Sequence, residues 1–262
     1  MWKWEAEGQP KAVVVIVHNA YEHHSRYAWF IQKLRSSNFH VVMGDLPGHG
    51  EQEGRTIHDE KFKTYVKYVK KLLDIGIADG LPLFIIGHGL GATLTMHVLQ
   101  NEDIVCAGVV LSSPWLQLNH QPPKYSNVLT KLSSSMKVKH QIEIELLTRN
   151  TELYIEARDD KNYSSIVTAG WYRELQMLMK SVSQYEGRIR NVPVLLHTAG
   201  NDKITETDVA RAWLLHQKLT EFQFKEWKGL YHDVYQEPER DEVFLYTEAF
   251  MHSTLRSLGY IV

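Results

Sequence analysis

Short, almost uninterrupted β-branched runs alternate along this chain with longer segments whose apolar residues recur at helical spacing, and no other feature restricts the fold as strongly. Residues 12–17, 40–45, 82–87, 107–112 and 192–197 are nearly continuous hydrophobic runs that end in polar residues or glycine. Strands covered on both faces have this character, so the runs predict a parallel sheet under helices. Between them, residues 25–37, 59–74, 90–100 and 206–220 carry helical spacing, and Thr205 or Thr207 is placed to cap the last. The expected class is α/β, with a mostly parallel central sheet flanked by helices.

One stretch interrupts the alternation. From Trp115 to Arg190 no comparable strand occurs, and the text turns polar, aromatic and helical, as in residues 140–147 and 171–179. About 75 residues between two sheet strands exceed a plain connection. The division expected is therefore a core in two parts, 1–114 and 191–262, with residues 115–190 inserted as a helical cap over the carboxyl ends of the strands, where open α/β sheets bind ligands. Trp115, Leu116, Leu118, Tyr125, Val128 and Leu129 could line an apolar pocket there or simply pack the cap on the body.

Composition closes off several function classes. With 29 basic and 31 acidic side chains in 262 residues, charge-driven binding to nucleic acid is not expected. The single cysteine, Cys106, cannot form an internal disulfide, and no cysteine-based zinc site exists. The polar start Met1-Trp2-Lys3-Trp4-Glu5 and the lack of a long apolar run predict a cytoplasmic protein without a transmembrane segment. The lysines between Lys61 and Lys71 read as the solvated face of an amphipathic helix, with peripheral contact to anionic lipid as the other reading.

The sharpest local signal is Gly87-His88-Gly89-Leu90-Gly91-Ala92, between the run ending at Ile86 and a helical pattern. Its letters fit two motifs. Gly-x-Gly-x-x-Ala is the dinucleotide fingerprint, but that belongs in the first strand-helix turn and needs an acidic residue roughly 20 positions on. The next strand instead ends Leu111-Ser112-Ser113-Pro114, so no nucleotide cofactor is expected. The second motif, Gly-x-Ser-x-Gly, is a strained turn that lifts a serine above the sheet, followed along the chain by an acid and then a histidine. Asp202, in Gly200-Asn201-Asp202-Lys203, and His232, in Gly229-Leu230-Tyr231-His232-Asp233, stand in that order. Gly89 occupies the serine position.

With these residues in place the chain resembles the α/β-hydrolase superfamily, and within it the monoacylglycerol lipase and lysophospholipase group of bacterial serine hydrolases. The resemblance runs nearly end to end. His18-Asn19-Ala20-Tyr21-Glu22-His23-His24-Ser25-Arg26-Tyr27 is similar to the group's His-Gly-x-x-Glu-His-x-x-Arg-Tyr segment; Gly44-Asp45-Leu46-Pro47-Gly48-His49-Gly50 resembles its Asp-x-x-Gly-His-Gly loop; and Tyr231–Arg240 resembles its catalytic-histidine loop. Three departures stand out: Asn19 where the group has glycine, Gln52 where a small hydroxyl residue is common, and Gly89 for the serine.

The resemblance implies a carboxylic-ester hydrolase acting on an acyl ester or lipid-like small molecule. Asp202 would be the acid and His232 the base, with the Ala20 and Leu90 amides forming the oxyanion hole and Asn19, Trp115 and Leu116 near the substrate. Glycine has no atom that can attack a carbonyl, so esterase activity is expected to be abolished or very weak. Glycine also tolerates the strained turn best, so the fold should survive. A lost nucleophile in a natural member, an engineered inactive form, and chemistry by His232 and Asp202 alone all fit, as does a non-catalytic protein that keeps the pocket to bind a lipid or acyl ligand. Cys106 and Ser112 are off the turn and poor substitutes. His18, His23 and His24 lack a carboxylate pair in sequence, and no metal is expected.

Overall fold

A computed structural model describes residues 1–50, 57–119, 133–158, 160–184 and 189–261. Its main sheet has seven strands: β1 (Trp2–Trp4), β2 (Ala12–Val17), β3 (Phe39–Met43), β5 (Leu83–His88), β6 (Gly108–Ser112), β9 (Val194–Ala199) and β10 (Phe222–Trp227). They lie in the order β1-β3-β2-β5-β6-β9-β10, parallel except for β1, which pairs antiparallel with β3. The five expected runs are β2, β3, β5, β6 and β9, with ends displaced by up to two residues, and β10 is the sixth parallel strand.

The pattern of β2 explains its place. Alternate side chains of a strand point to opposite faces, and here both are apolar. Val13, Val15 and Val17 enter one core with helices α2 (Phe62–Ile77) and α3 (Leu90–Asn101); Ala12, Val14 and Ile16 enter another with α1 (Ala28–Ser36) and the carboxyl-terminal helix. Each such buried Val or Ile contributes about 1.5–3 kcal/mol relative to exposure.

Residues 115–190 hold α4 (Thr151–Arg158), α5 (Ala169–Ser183) and two three-residue strands, β7 (Lys137–Lys139) and β8 (Ile166–Thr168). With β4 (Ile57–His58) these make a second sheet in the order β4-β8-β7. Sequence patterning does not reveal it, because strands this short leave no periodic signal. Residues 140–147 are not the expected helix: only Ile144–Leu146 form a 3-10 turn. His140, Ile142 and Ile144 are buried while Gln141, Glu143 and Glu145 are exposed, a period of two that belongs to extended chain. Tyr125, Val128, Leu129 and Gln52 lie outside the described residues.

After the second sheet the chain adds α6 (Thr207–His216) and α7 (Arg240–Ser257). The buried stripe of α7 is Val243, Phe244, Thr247, Phe250, Met251, Thr254 and Leu255, helical in spacing but interrupted by two threonines. Glu206, not a threonine, is the N-cap of α6, and its side chain makes no cap bond. Among the described residues no helix is long and apolar enough to cross a membrane. The Lys61–Lys71 run does form the outer face of α2, whose Phe62, Tyr65, Val69, Leu72 and Leu73 are buried; Lys61 pairs with Glu174 and Lys70 with Glu102.

Candidate functional site

The carboxyl ends of β2, β5, β9 and β10 converge on one point. Val17 pairs with Gly87 between β2 and β5, so two residues further along each strand Asn19 faces Gly89. Gly89 sits between β5 and α3 at φ 53°, ψ −118°, in the left-handed half of backbone space that side-chain-bearing residues adopt at a cost of roughly 1–3 kcal/mol. The flanking glycines are required by close approach: a Cβ on Gly91 would lie 2.1 Å from the Val17 carbonyl oxygen, and one on Gly87 would lie 2.6 Å from the Ala92 Cα. The turn is thus a sharp elbow whose apex carries no side chain.

On the other side stand Asp202, three residues beyond β9, and His232, five beyond β10, both almost wholly buried. His232 Nδ1 lies 2.9 Å from Asp202 Oδ2 and 3.1 Å from Oδ1. The carboxylate is held from behind: Oδ1 accepts from the amides of Ile204 and Thr205 at 2.7 and 3.0 Å, and Oδ2 accepts the Thr205 hydroxyl at 2.8 Å. Thr205, expected as a helix cap, therefore orients Asp202 instead. Burial works against charge on Asp202, but the His232 ring and these donors outweigh it and hold its pKa below the ordinary carboxylate value.

The far nitrogen of His232 is also taken. Trp115 donates its indole Nε1–H to His232 Nε2 at 3.1 Å. An indole only donates, so Nε2 is an acceptor here and Nδ1 carries the proton that goes to Asp202. The Trp115 backbone is tied to the elbow by its own N–H, which reaches the Gly89 carbonyl at 3.3 Å. Ser113 Oγ donates to the His232 carbonyl rather than to its ring.

The amides of Ala20 and Leu90, the expected oxyanion donors, point at a common atom. Both donate to Asn19 Oδ1, at 2.8 and 2.9 Å. Two converging N–H donors fix that atom as the oxygen of the carboxamide. The segment that carries Asn19 is braced on both flanks. His18 bonds the Asn19 carbonyl through Nδ1 at 2.6 Å and accepts the Leu46 amide on Nε2 at 2.8 Å; Glu22 Oε1 accepts the Asn19 amide at 2.7 Å and the Tyr27 hydroxyl at 2.6 Å. Tyr21, between them, is at φ 70°, and its hydroxyl bonds His140 Nδ1 at 2.6 Å.

Of the expected site residues, Gly89, Asp202, His232, Ala20, Leu90, Asn19 and Trp115 therefore meet at one place. Leu116 and Leu118 are buried in the same core as Trp115. What sequence reasoning missed is how Asn19 and Trp115 are used. The signal for Asn19 was present as a departure from the family pattern; Trp115 carried none beyond its place after Pro114.

Metal-type groupings are engaged elsewhere. Ligand atoms of His88, His232 and Asp233 lie within 4.8 Å of one another. His88 Nε2 already bonds Asp233 Oδ1 at 2.8 Å and its Nδ1 bonds Ser112 Oγ at 3.1 Å, while both ring nitrogens of His232 are used as described. Burial opposes charge on His88 and Asp233, but their mutual bond outweighs it, raising the histidine and lowering the aspartate. His23 pairs with Asp160 and His24 with Asp45, separately, and His18 with backbone, so these three histidines form no common site.

Comparison with known proteins gives the family. Residues 8–239 match the family described as serine aminopeptidase, S33. The chain is 35% identical over 255 residues to phospholipase YtpA of Bacillus subtilis (strain 168), covering 95% of this chain and 98% of that one. It is 28% identical over 244 residues to the monoglyceride lipase of Homo sapiens, covering 89% and 79%. Among solved structures, it matches the monoacylglycerol lipase of Paleococcus ferrophilus with a TM-score of 0.84 at 25% identity, over 97% of this chain and 98% of that one.

Proposed function

As the chain belongs to the monoglyceride lipase and phospholipase-like family of α/β-hydrolases, we propose that it derives from an acyl-ester hydrolase and no longer performs acyl-enzyme turnover. In the ancestral reaction a serine at position 89 attacks the ester carbonyl, His232 takes its proton and returns it to the leaving alcohol, and Asp202 fixes the ring and stabilises its charged form. The Ala20 and Leu90 amides receive the oxygen on which negative charge develops. Here the first of these parts is missing.

The observation that carries the reading is the partner of His232 Nε2. A base waiting for a nucleophile needs a hydroxyl or thiol there; this one holds the indole N–H of Trp115 at 3.1 Å. Catalysis by His232 and Asp202 alone is disfavoured by the same contact, because the lone pair that would activate water is engaged. An acyl-carrier role is less well supported: Trp115, Leu116 and Leu118 are 0, 6 and 4% exposed, which leaves little surface to line a cavity. Residues 115–190 as a cap, a lipid-like ancestral substrate and a cytoplasmic location belong to the same proposal.

The test is direct. The purified parent chain, incubated with a fluorophosphonate probe, is expected to form no covalent adduct by intact-mass measurement. It should hydrolyse monoacylglycerols or lysophospholipids on the order of 10⁶-fold more slowly than a serine-bearing enzyme of this kind. An adduct on any residue, or turnover within about a hundredfold of such enzymes, overturns the proposal.

A further inference from the structure

Gly89 and Asn19 lie closer together than a side chain at position 89 permits. A Cβ built on Gly89 would fall 2.0 Å from Asn19 Oδ1, 2.2 Å from its Cγ and 2.7 Å from its Nδ2. The whole carboxamide thus occupies the space over the elbow, with its oxygen between the Ala20 and Leu90 amides. An acyl group bonded to a residue at the elbow would put its carbonyl carbon over the apex and its oxygen between the same two amides. The Asn19 Cγ=Oδ1 group reproduces that arrangement without a covalent bond.

We propose that Asn19 is a built-in occupant of the oxyanion hole, matched to the bare elbow, so that asparagine at 19 and a side chain at 89 exclude one another. This rests on the reading of Ala20 and Leu90 as the former oxyanion donors, and it adds that restoring serine alone does not restore reactivity.

The contact differs from an ordinary crowded side chain. A flexible terminus normally swings away from an added methylene at little cost. Here swinging away strips two converging N–H groups of their acceptor in a site where Asn19 is 2% exposed, and unmet buried donors are expensive. The segment offers little slack, because the Asn19 amide and carbonyl are both bonded, to Glu22 and to His18. Conversely, those three nearest contacts of the Gly89 Cβ all belong to the Asn19 carboxamide, so Asn19→Gly removes each of them.

The experiment is a two-by-two cycle on the full chain: parent, Gly89→Ala, Asn19→Gly and the double variant, compared by thermal midpoint. The positive φ at position 89 is a cost common to both backgrounds and cancels in the cycle. Gly89→Ala is expected to lower the midpoint by at least about 5 °C more in the parent than in Asn19→Gly. A Gly89→Ala chain that does not fold, beside a double variant that does, is the same result. Equal losses, or failure to fold in both backgrounds, overturn the pairing.

A second arm, run in a Trp115→Phe background that frees His232 Nε2, replaces alanine by serine and adds the fluorophosphonate probe. In the labelling step the introduced serine oxygen bonds phosphorus, fluoride leaves, and the hydroxyl proton passes to His232. Asn19→Gly with Gly89→Ser is expected to label at position 89 at least about 100-fold faster than Gly89→Ser alone. Equal rates, or a double variant that does not label, overturn the view that Asn19 is what bars a serine. Labelling of the parent would sink the lost-turnover proposal and leave the stability cycle intact; equal thermal losses would do the reverse.

Discussion

Two halves of the same site have been treated differently. On the β9 and β10 side, Asp202 and His232 keep the geometry of an acid and a base, down to the ring nitrogen that faces the carboxylate. On the β2 and β5 side, the apex of the elbow is Gly89, which carries no side chain, and the space over it holds the Asn19 carboxamide. The difference is explained by what each half does for the fold. Asp202 gathers two backbone amides, a hydroxyl and a histidine, and the His232 carbonyl accepts Ser113, so this half ties the loops after β9 and β10 to the end of β6. The serine hydroxyl of an elbow has no such burden. Removing it leaves a hole and two unmet donors, which one neighbouring side chain can satisfy. On the proposed reading, a pair of this kind persists without catalysis because it is part of the packing.

The largest expected effect tests that account. Asp202→Ala strips four hydrogen bonds from a buried carboxylate position and leaves the His232 N–H and two amides without acceptors. Each buried donor left without an acceptor costs about 1–3 kcal/mol, so a loss of several kcal/mol is expected, which for a chain of this size is a fall in melting temperature of about 10 °C. Scanning calorimetry of the variant against the parent measures it. A loss under about 1 kcal/mol would mean that the pair is kept for something other than stability.

How far the sequence anticipated this follows from the kind of signal each feature leaves. The parallel strands were legible because β2, β5, β6 and β9 are buried on both faces and cannot be anything else at that length. Asp202 and His232 were legible as an ordered pair after the elbow. The small β4-β8-β7 sheet was not, since two or three residues carry no period. Residues 140–147 mislead because Ile142, Ile144 and Leu146 suit a helix by type, whereas burial alternates along His140–Glu145. Asn19 was visible as an oddity but its use was not: a contact between positions 71 apart depends on the β2–β5 register, which no local pattern encodes.

A smaller effect separates the two closures of the site. Trp115→Phe keeps an aromatic side chain in the core but removes the only group that reaches His232 Nε2 in the bonds described above. Leaving a buried acceptor unpaired costs about 1–3 kcal/mol. Urea unfolding should show the midpoint falling with an unchanged slope. The fluorophosphonate probe should still fail to label this variant, because freeing the base supplies no nucleophile; labelling would mean that some hydroxyl or thiol within reach had been masked by the indole.

The smallest effect concerns acid, and it should strike the two halves at different pH. Around the rebuilt half, burial holds His18, His49 and His58 below the ordinary histidine value, His58 at about 4. The folded protein therefore resists protons that the unfolded chain accepts from pH ~6.5 downward, and the stability these residues confer is complete above that pH and lost as it falls towards their folded values. Each contributes at most ~1.4 kcal/mol per pH unit in that window. On the retained half, Asp202 is depressed below the carboxylate range, so its contribution is present above ~3.8 and is lost only as pH falls through that value and below. Amide exchange followed by mass spectrometry at pH 7.0 and 5.0, corrected for intrinsic rates, should show protection falling first in segments 18–24, 44–50 and 57–60. Segments 200–206 and 229–236 should hold until the carboxylates titrate. His58→Gln, which cannot take a proton, should flatten the acid dependence of the first group and leave the second unchanged; simultaneous loss in both groups at pH 5.0 would show that the halves unfold as one unit and that their separate treatment has no energetic counterpart.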